Sequence, residues 1–418
     1  MGPIEKQWLR SRSRRKALAA FAGVVAGSPL VGSRMSAQLD PRPLKDHKRL
    51  PGLDEIVDAF DFEPLMFANV PQSVYDYTAH GDGSEFTLRR NREAFDWVDL
   101  VPASGGKAID VARVDLSVEL FGLRMKYPIM VAPTATQVPL HPDGEAGMHR
   151  AATEASSTPM ILSQNTSMSV DRVATAAKGP LWWQFYPAPS LEASKEILDT
   201  ALTAGCTAVV VTVDQTASYY ERSQHDRNLG ARGGGRGGRG GAAAATPAGP
   251  SAAPAAGPAR YRLQPGRLWY TWRYLDELRR MLKVPLLVKG ILTAEDARLC
   301  VEHGVDGIIV SNHGGRSMDY GPSTLEVLPE VVAAVNHRIP VLTDSGYRRG
   351  TDILKALALG ADAVLLGRTT RWALAAFGAP GVQRLLEMMQ RELVEAAAAA
   401  GRPTRASIDS SLVRTRFT

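Results

Sequence analysis

Cysteine is nearly absent. The 418-residue chain has two, Cys206 in "AGCTAVVV" and Cys300 in "ARLCVEHG". Both contexts read as packed helix or strand ends, which excludes a disulfide scaffold. No CxxC, CxxCH or zinc-ligand spacing occurs, so a thiolate metal site and a c-type haem are excluded, and no metal is expected. A dinucleotide glycine fingerprint after the first strand is also missing, which disfavours an open doubly wound sheet. The net charge of +6 is mostly local. Arg10, Arg12, Arg14, Arg15 and Lys16 crowd the N-terminus, and Arg232, Arg236 and Arg239 sit in a glycine tract. A general nucleic-acid surface is therefore not expected.

The first 37 residues read as a leader. In "SRSRRKALAAFAGVVAGSPLVG" the pair Arg14 and Arg15 precedes a weakly apolar run of small residues. That run is shorter than the roughly 20 residues a membrane span needs. The pattern is that of a twin-arginine export signal. It predicts a periplasmic or otherwise exported protein, carried in the folded state; without export the location is cytoplasmic. Residues 38–418 are expected to form one catalytic domain. Within it, 230–260 ("GARGGGRGGRGGAAAATPAGPSAAPAAGPAR" in its wider setting) lacks the apolar side chains to build a core. It reads as a flexible insertion, since its three arginines have no interleaved aromatics of the kind RNA binding uses.

What is abundant is rhythm. Eight short apolar runs end at or near 133, 163, 186, 214, 290, 312, 346 and 368, most of them separated by helical patterns such as "SLEASKEILDTALTAG" and "TAEDARLCVEHG". Eight βα units predict a TIM (β/α)8 barrel, here with an N-terminal helical extension that includes "PQSVYDYTAHGDGSEFTLRRNREAF". In such a barrel the active groups cluster at the C-terminal ends of the strands. Those ends supply "APTATQ", Ser163, Gln184 with Tyr186, Thr212 with Asp214, and Lys289. The last three supply Ser311, His313 and Arg316, then "DSGYRRG", then Gly367 and Arg368. A base, a flexible Gly-Gly turn and a guanidinium in "SNHGGR" point to catalysis on an anionic substrate. Gly346 and Arg348 suit a phosphate.

Taken together, "VYDYTAHG", "APTATQ", "LLVKGILTAEDAR", "SNHGGR" and "RRGTDILKALALGADAVLLGR" resemble the FMN-dependent 2-hydroxy acid oxidases and dehydrogenases. These include glycolate oxidase, lactate oxidase, mandelate dehydrogenase and the flavin domain of flavocytochrome b2. The resemblance runs from about Pro71 to the C-terminus. It implies oxidation of an (S)-2-hydroxy acid to a 2-oxo acid, with oxygen, a quinone or a cytochrome as acceptor, and a homo-oligomer, often a tetramer.

The same resemblance assigns roles. His313 is the base and Asp214 its partner. Arg316 and Tyr77 bind the carboxylate, Tyr186 lies near the substrate hydroxyl, and Arg222 is the candidate second arginine, one residue off the usual spacing. Lys289 lies at the N1/O2 edge of the flavin. Pro133, Thr134, Ala135, Ser163, Gln184, Thr212 and Ser311 contact the ring and ribityl chain. Asp344, Ser345, Gly346, Tyr347 and Arg348, with Gly367 and Arg368, contact the ribityl chain and phosphate.

Three departures stand out: Ser345 where the family has glycine, Tyr347 where it has a small aliphatic residue, and "SQNTS" in place of "SSWAT". The last puts Gln164 and Asn165 beside the substrate and predicts a roomier, more polar pocket than that of glycolate oxidase. Such a pocket also suits a non-standard substrate such as a modified peptide. A non-catalytic flavin-binding barrel is the remaining alternative.

Overall fold

Alternating apolar runs and amphipathic segments close into a ring in the computed structural model, which describes residues 50–102, 110–188, 190–214, 217–218, 262–263 and 271–417. The leader, Arg222 and the 230–260 insertion lie outside these residues. Leu53–Thr418 form one unit and are described by themselves.

The barrel strands are β1 (Ile129–Val131), β2 (Met160–Ser163), β3 (Leu181–Phe185), β4 (Val209–Thr212), β5 (Leu286–Ile291), β6 (Gly307–Val310), β7 (Val341–Thr343) and β8 (Ala363–Leu366). All neighbours pair in parallel and β8 closes onto β1. This is the expected TIM barrel. Parallel pairing requires crossovers, and helices supply them with their own start signals. Ser190 accepts a hydrogen bond from Ala193 N at the start of Leu191–Thr203, and Thr293 accepts one from Asp296 N at the start of Ala294–Glu302. Ser323 and Glu326 form a reciprocal cap on Thr324–Val335.

Both faces of the strands are apolar because both are covered. One set of residues packs outward against the helices. The alternate set, including Met130, Ile161, Trp182, Val210, Leu287, Ile309, Leu342 and Leu365, fills the barrel interior. Below it, a hairpin of Val118–Leu120 and Leu123–Met125 inserts Leu120 and Met125 into the same cluster.

The extension contributes α1 (Phe62–Asn69), α2 (Gln72–Ala79) and α3 (Phe86–Glu93). These eight-residue helices are too short to be stable alone and depend on tertiary contacts. On α3, Arg90 grips Glu326 through Nε at 2.8 Å and Nη2 at 2.6 Å. A later helix, α4 (Arg368–Ala399), starts directly after β8 and kinks at Phe377–Gly378.

Candidate active site

Strand geometry itself places the polar residues. Side chains two apart share a face. Two residues beyond the interior Ile161, Trp182, Val210, Leu287, Ile309 and Leu342 stand Ser163, Gln184, Thr212, Lys289, Ser311 and Asp344. All six are buried, and together they form a polar layer above the hydrocarbon layer at the C-terminal rim. Gly367 continues the β8 face beyond Leu365.

Lys289 is central to this layer. Its Nζ donates to Ser311 Oγ at 2.8 Å and lies 3.5 Å from Asp344 and 3.9 Å from Asp214. Burial alone disfavours the ammonium, but the two carboxylates overcome it and hold the pKa above the ordinary lysine value. At Gly290 the backbone has φ +113°, and a Cβ there would come within 2.7 Å of Asp214 Cβ. The "VKG" glycine thus lets the fourth and fifth strand ends approach closely.

His313 Nδ1 lies 2.8 Å from Asp214 Oδ1. Burial raises the Asp214 pKa, yet His313 and Lys289 bring the net below the usual carboxylate value. Asp214 is therefore the acceptor and Nδ1 carries the proton, leaving Nε2 as the basic atom. His313 itself sits at φ +58°, its N–H donating to Ser311 Oγ at 3.1 Å. Burial, opposed by Asp214 and aided by Lys289, lowers its pKa.

The loop that carries His313 is braced by residues the sequence did not single out. Asn312 and Asn91 of α3 exchange amide hydrogen bonds at 2.9 and 2.8 Å. Gly315, at φ +75°, passes so close to Leu88 that a Cβ would lie 2.7 Å from its backbone. Nothing in "RRNREAF" marks Asn91 as the partner of a residue 221 positions away.

Arginines gather at the end of α2. Arg316 Nη1 donates to the carbonyls of Tyr77 at 2.6 Å and His80 at 2.9 Å, and its Cζ lies 4.8 Å from the Tyr77 ring centroid. The expected carboxylate-binding pair is thus brought together. Arg368 donates to the carbonyls of Thr78, Gly314 and His80 at 2.8, 2.7 and 3.0 Å. Arg371, which sequence reading missed, also reaches Tyr77. One signal was available: it lies three residues after Arg368, hence on the same helix face, directly before the apolar run "WALAAF".

At the β7 end, Ser345 adopts φ +79°, the left-handed region a glycine would favour. Its hydroxyl donates to Asp344 Oδ1 at 2.7 Å and accepts from Gly314 N at 3.0 Å, so the serine fits with compensation. Tyr347 departs from its expected place. Its side chain turns into the core, edge-on to Phe95 with centroids 5.1 Å apart, so the loop keeps only its backbone. Arg348 is buried over the Trp372 ring at 4.5 Å, and burial, then the charge of Arg92, lowers its pKa to about 10.

The second-strand loop divides. Gln164 Oε1 accepts from Tyr186 N at 2.7 Å, so its amide fixes the β3 end, while Asn165 is exposed. Just beyond β1, Pro133 is half-buried, Thr134 Oγ1 accepts from Gln137 Nε2 at 3.0 Å, and the Ala135 carbonyl accepts from Arg371.

This donor set fits FMN. Gln184 Nε2 is buried with no hydrogen-bond partner among the described residues, while its Oε1 accepts from Ser163 Oγ at 3.0 Å. An open amide donor beside a lysine and hydroxyls suits the carbonyl-rich edge of a flavin ring. Buried Arg348 and the glycine turn at Gly346 suit a phosphate.

Comparison with known proteins agrees. A family model described as FMN-dependent dehydrogenase matches residues 67–415. Glycolate oxidase 3 of Arabidopsis thaliana is 38% identical over 361 residues, covering 86% of this chain and 96% of that protein. Glycolate oxidase of Spinacia oleracea is 38% identical over 347 residues, covering 81% and 90%. A mandelate oxidase structure with (S)-2-phenylpropionate superposes with TM-score 0.72 at 33% identity, covering 87% and 99%. A flavocytochrome b2 variant with pyruvate bound gives 0.78 at 27%, covering 87% and 88%. With this match along nearly the whole barrel and a rim built to receive the flavin, the chain belongs to the FMN-dependent dehydrogenase family and is an FMN-dependent oxidoreductase.

Proposed function

We propose that this enzyme oxidises an (S)-2-hydroxy acid to the 2-oxo acid and passes the electrons to oxygen. The observation that carries the reaction is His313, its Nδ1 held by ionised Asp214, on the same loop as Arg316, which packs over Tyr77 of α2. The guanidinium and the phenol supply a cation and a neutral donor for a carboxylate, so the acid is held in one orientation. His313 Nε2 then removes a proton from the bound hydroxy acid. Asp214 stabilises the imidazolium that results and keeps its ring in place. Bound FMN supplies the chemistry the chain lacks, accepting the electron pair the substrate loses. Lys289 fixes positive charge at the rim, where negative charge grows as those electrons arrive.

The relatives named above support the substrate class, since they include glycolate and mandelate oxidases. Exposed Asn165 and the tethered Gln164 favour a polar group beyond the carboxylate. Turnover on a panel of 2-hydroxy acids tests the reading, with peroxide as the readout under oxygen. Peroxide formed in step with 2-oxo acid supports it. Turnover only with a quinone or cytochrome c overturns the acceptor, and no turnover with any acceptor overturns the reaction. Export by the 1–37 leader is part of the same proposal. Replacing Arg14 and Arg15 by lysine should hold the protein in the cytoplasm, and unchanged export would contradict it.

A further inference from the structure

We propose that Arg371 is a positioning residue for substrate binding, holding Tyr77 in place and locking α2 to the loop after β1. The inference rests on the reading of Tyr77 as part of the carboxylate clamp.

Arg371 lies in the first turn of α4 and is 4% exposed. Its Nε donates to Thr78 Oγ1 at 2.9 Å, and its Nη1 donates to the Ala135 carbonyl. Its Cζ lies 5.4 Å from the centroid of the Tyr77 ring. One guanidinium therefore touches the Tyr77 ring, the next side chain of α2, and the backbone of "APTATQ". No ion pair involving Arg371 occurs among the described residues. Burial lowers its pKa to about 10, with Tyr77 acting in the opposite direction and Arg316 adding to the fall, so it is still charged at neutral pH.

Glu145 also favours the charged form, but it makes no ion pair with Arg371 among the described residues, and a buried cation without a paired carboxylate is a costly choice for packing alone. Its contacts explain the choice of arginine. The planar fork can donate in two directions while its face covers an aromatic ring, which a lysine ammonium cannot do. The other two arginines at α2 act on its backbone carbonyls. Arg316 bonds Tyr77 O and His80 O, and Arg368 bonds Thr78 O and His80 O. Arg371 bonds a side chain of α2 and ties it to the β1 loop. That link matters because α2 is eight residues long, lies outside the barrel, and carries a substrate-contacting residue.

The test uses holoenzyme and four variants: Tyr77→Phe, Arg371→Met, Arg371→Lys, and Arg371→Met combined with Tyr77→Phe. KM and kcat are measured with the best 2-hydroxy acid, and oxalate affinity is read from the flavin spectrum. Arg371→Met should raise KM and the oxalate dissociation constant about tenfold, the scale of one lost hydrogen bond to a charged group, with a smaller fall in kcat. Arg371→Lys should fall between Met and wild type. In the Tyr77→Phe background Arg371→Met should add much less, because the hydroxyl that Arg371 positions is already gone.

Unchanged KM and oxalate affinity in Tyr77→Phe would overturn the reading of Tyr77 itself. A weakened Tyr77→Phe beside an unaffected Arg371→Met, or effects of the two that simply add, would overturn the role of Arg371. If Arg371→Met does not fold with flavin, Arg371→Lys in the wild-type and Tyr77→Phe backgrounds carries the same comparison. Wild-type values or full additivity there would overturn it equally.

Discussion

His313 Nδ1 and Asp214 Oδ1 meet at 2.8 Å across 99 residues of sequence, joining the loops after β4 and β6. The contact is held from both sides. Lys289 sits 3.9 Å from the same carboxylate, and the Ser317 hydroxyl donates to the Asp214 carbonyl at 2.5 Å. Orientation, tautomer and basicity of the imidazole are thereby set by one ion-paired aspartate.

The pH dependence follows from that setting. Burial, with Lys289, lowers the His313 pKa from its usual 6.5, and Asp214 opposes the fall. The base is therefore neutral and ready above that value. The acid limb of kcat/KM should lie below 6.5. Asp214→Asn removes the opposing charge, so the limb should move lower still while the rate drops. A limb displaced upward in Asp214→Asn would contradict the arrangement.

Lys289 neutralises two buried carboxylates at once. Lys289→Met removes the one ammonium that lies within 4 Å of both Asp214 and Asp344 among the described residues. Breaking a buried ion pair in this one-sided way costs about 3–5 kcal/mol. Urea unfolding should show a loss of that size, with reduced flavin content in the purified protein. Unchanged stability would mean that the two carboxylates find another counter-charge.

Ser345 gives a test of local strain. Its left-handed backbone is tolerated because Oγ bonds Asp344 and Gly314 N. Ser345→Ala keeps the strained Cβ and loses both bonds, so it should lose roughly 1–2 kcal/mol. Ser345→Gly removes the strain along with the bonds and should be more stable than the alanine variant. The opposite order would show that the strain is not there.

Asp82 predicts a pH effect on stability. It is buried near Asp319; burial chiefly, and the Asp319 charge, push its carboxyl up from 3.8 to about 6, against backbone bonds from Asp319 and Gly83. A raised folded-state pKa means the folded protein binds the proton more tightly. The stabilisation is complete below pH 3.8 and is lost as pH rises through about 6. Asp82→Asn mimics the protonated form, so its advantage over wild type in thermal unfolding should grow as pH rises from 3.8 to about 6, be full above that, and vanish on acidification. An advantage independent of pH would contradict this.

Much of this was legible in the sequence. The eight apolar runs are the eight strands, and the rim residues from Ser163 to Asp344 are where strand ends place them. Side-chain direction was less legible, because strands covered on both faces show no polar alternation. The departures have the same origin. Tyr347 reads as a loop residue until Phe95, from the distant extension, is seen to receive its ring. Asn91 and Arg371 serve the site only through long-range packing. Arg222 falls outside the described residues, so its expected contact with substrate is still a proposal.

The most direct test of the account is anaerobic single-turnover reduction of the bound flavin by the best 2-hydroxy acid, comparing wild type with His313→Gln. Wild type should bleach its visible absorption in one fast phase. His313→Gln should retain flavin and be slowed roughly 10²–10⁴-fold, the range expected for loss of a general base. Flavin reduction at the wild-type rate in His313→Gln would contradict the central claim.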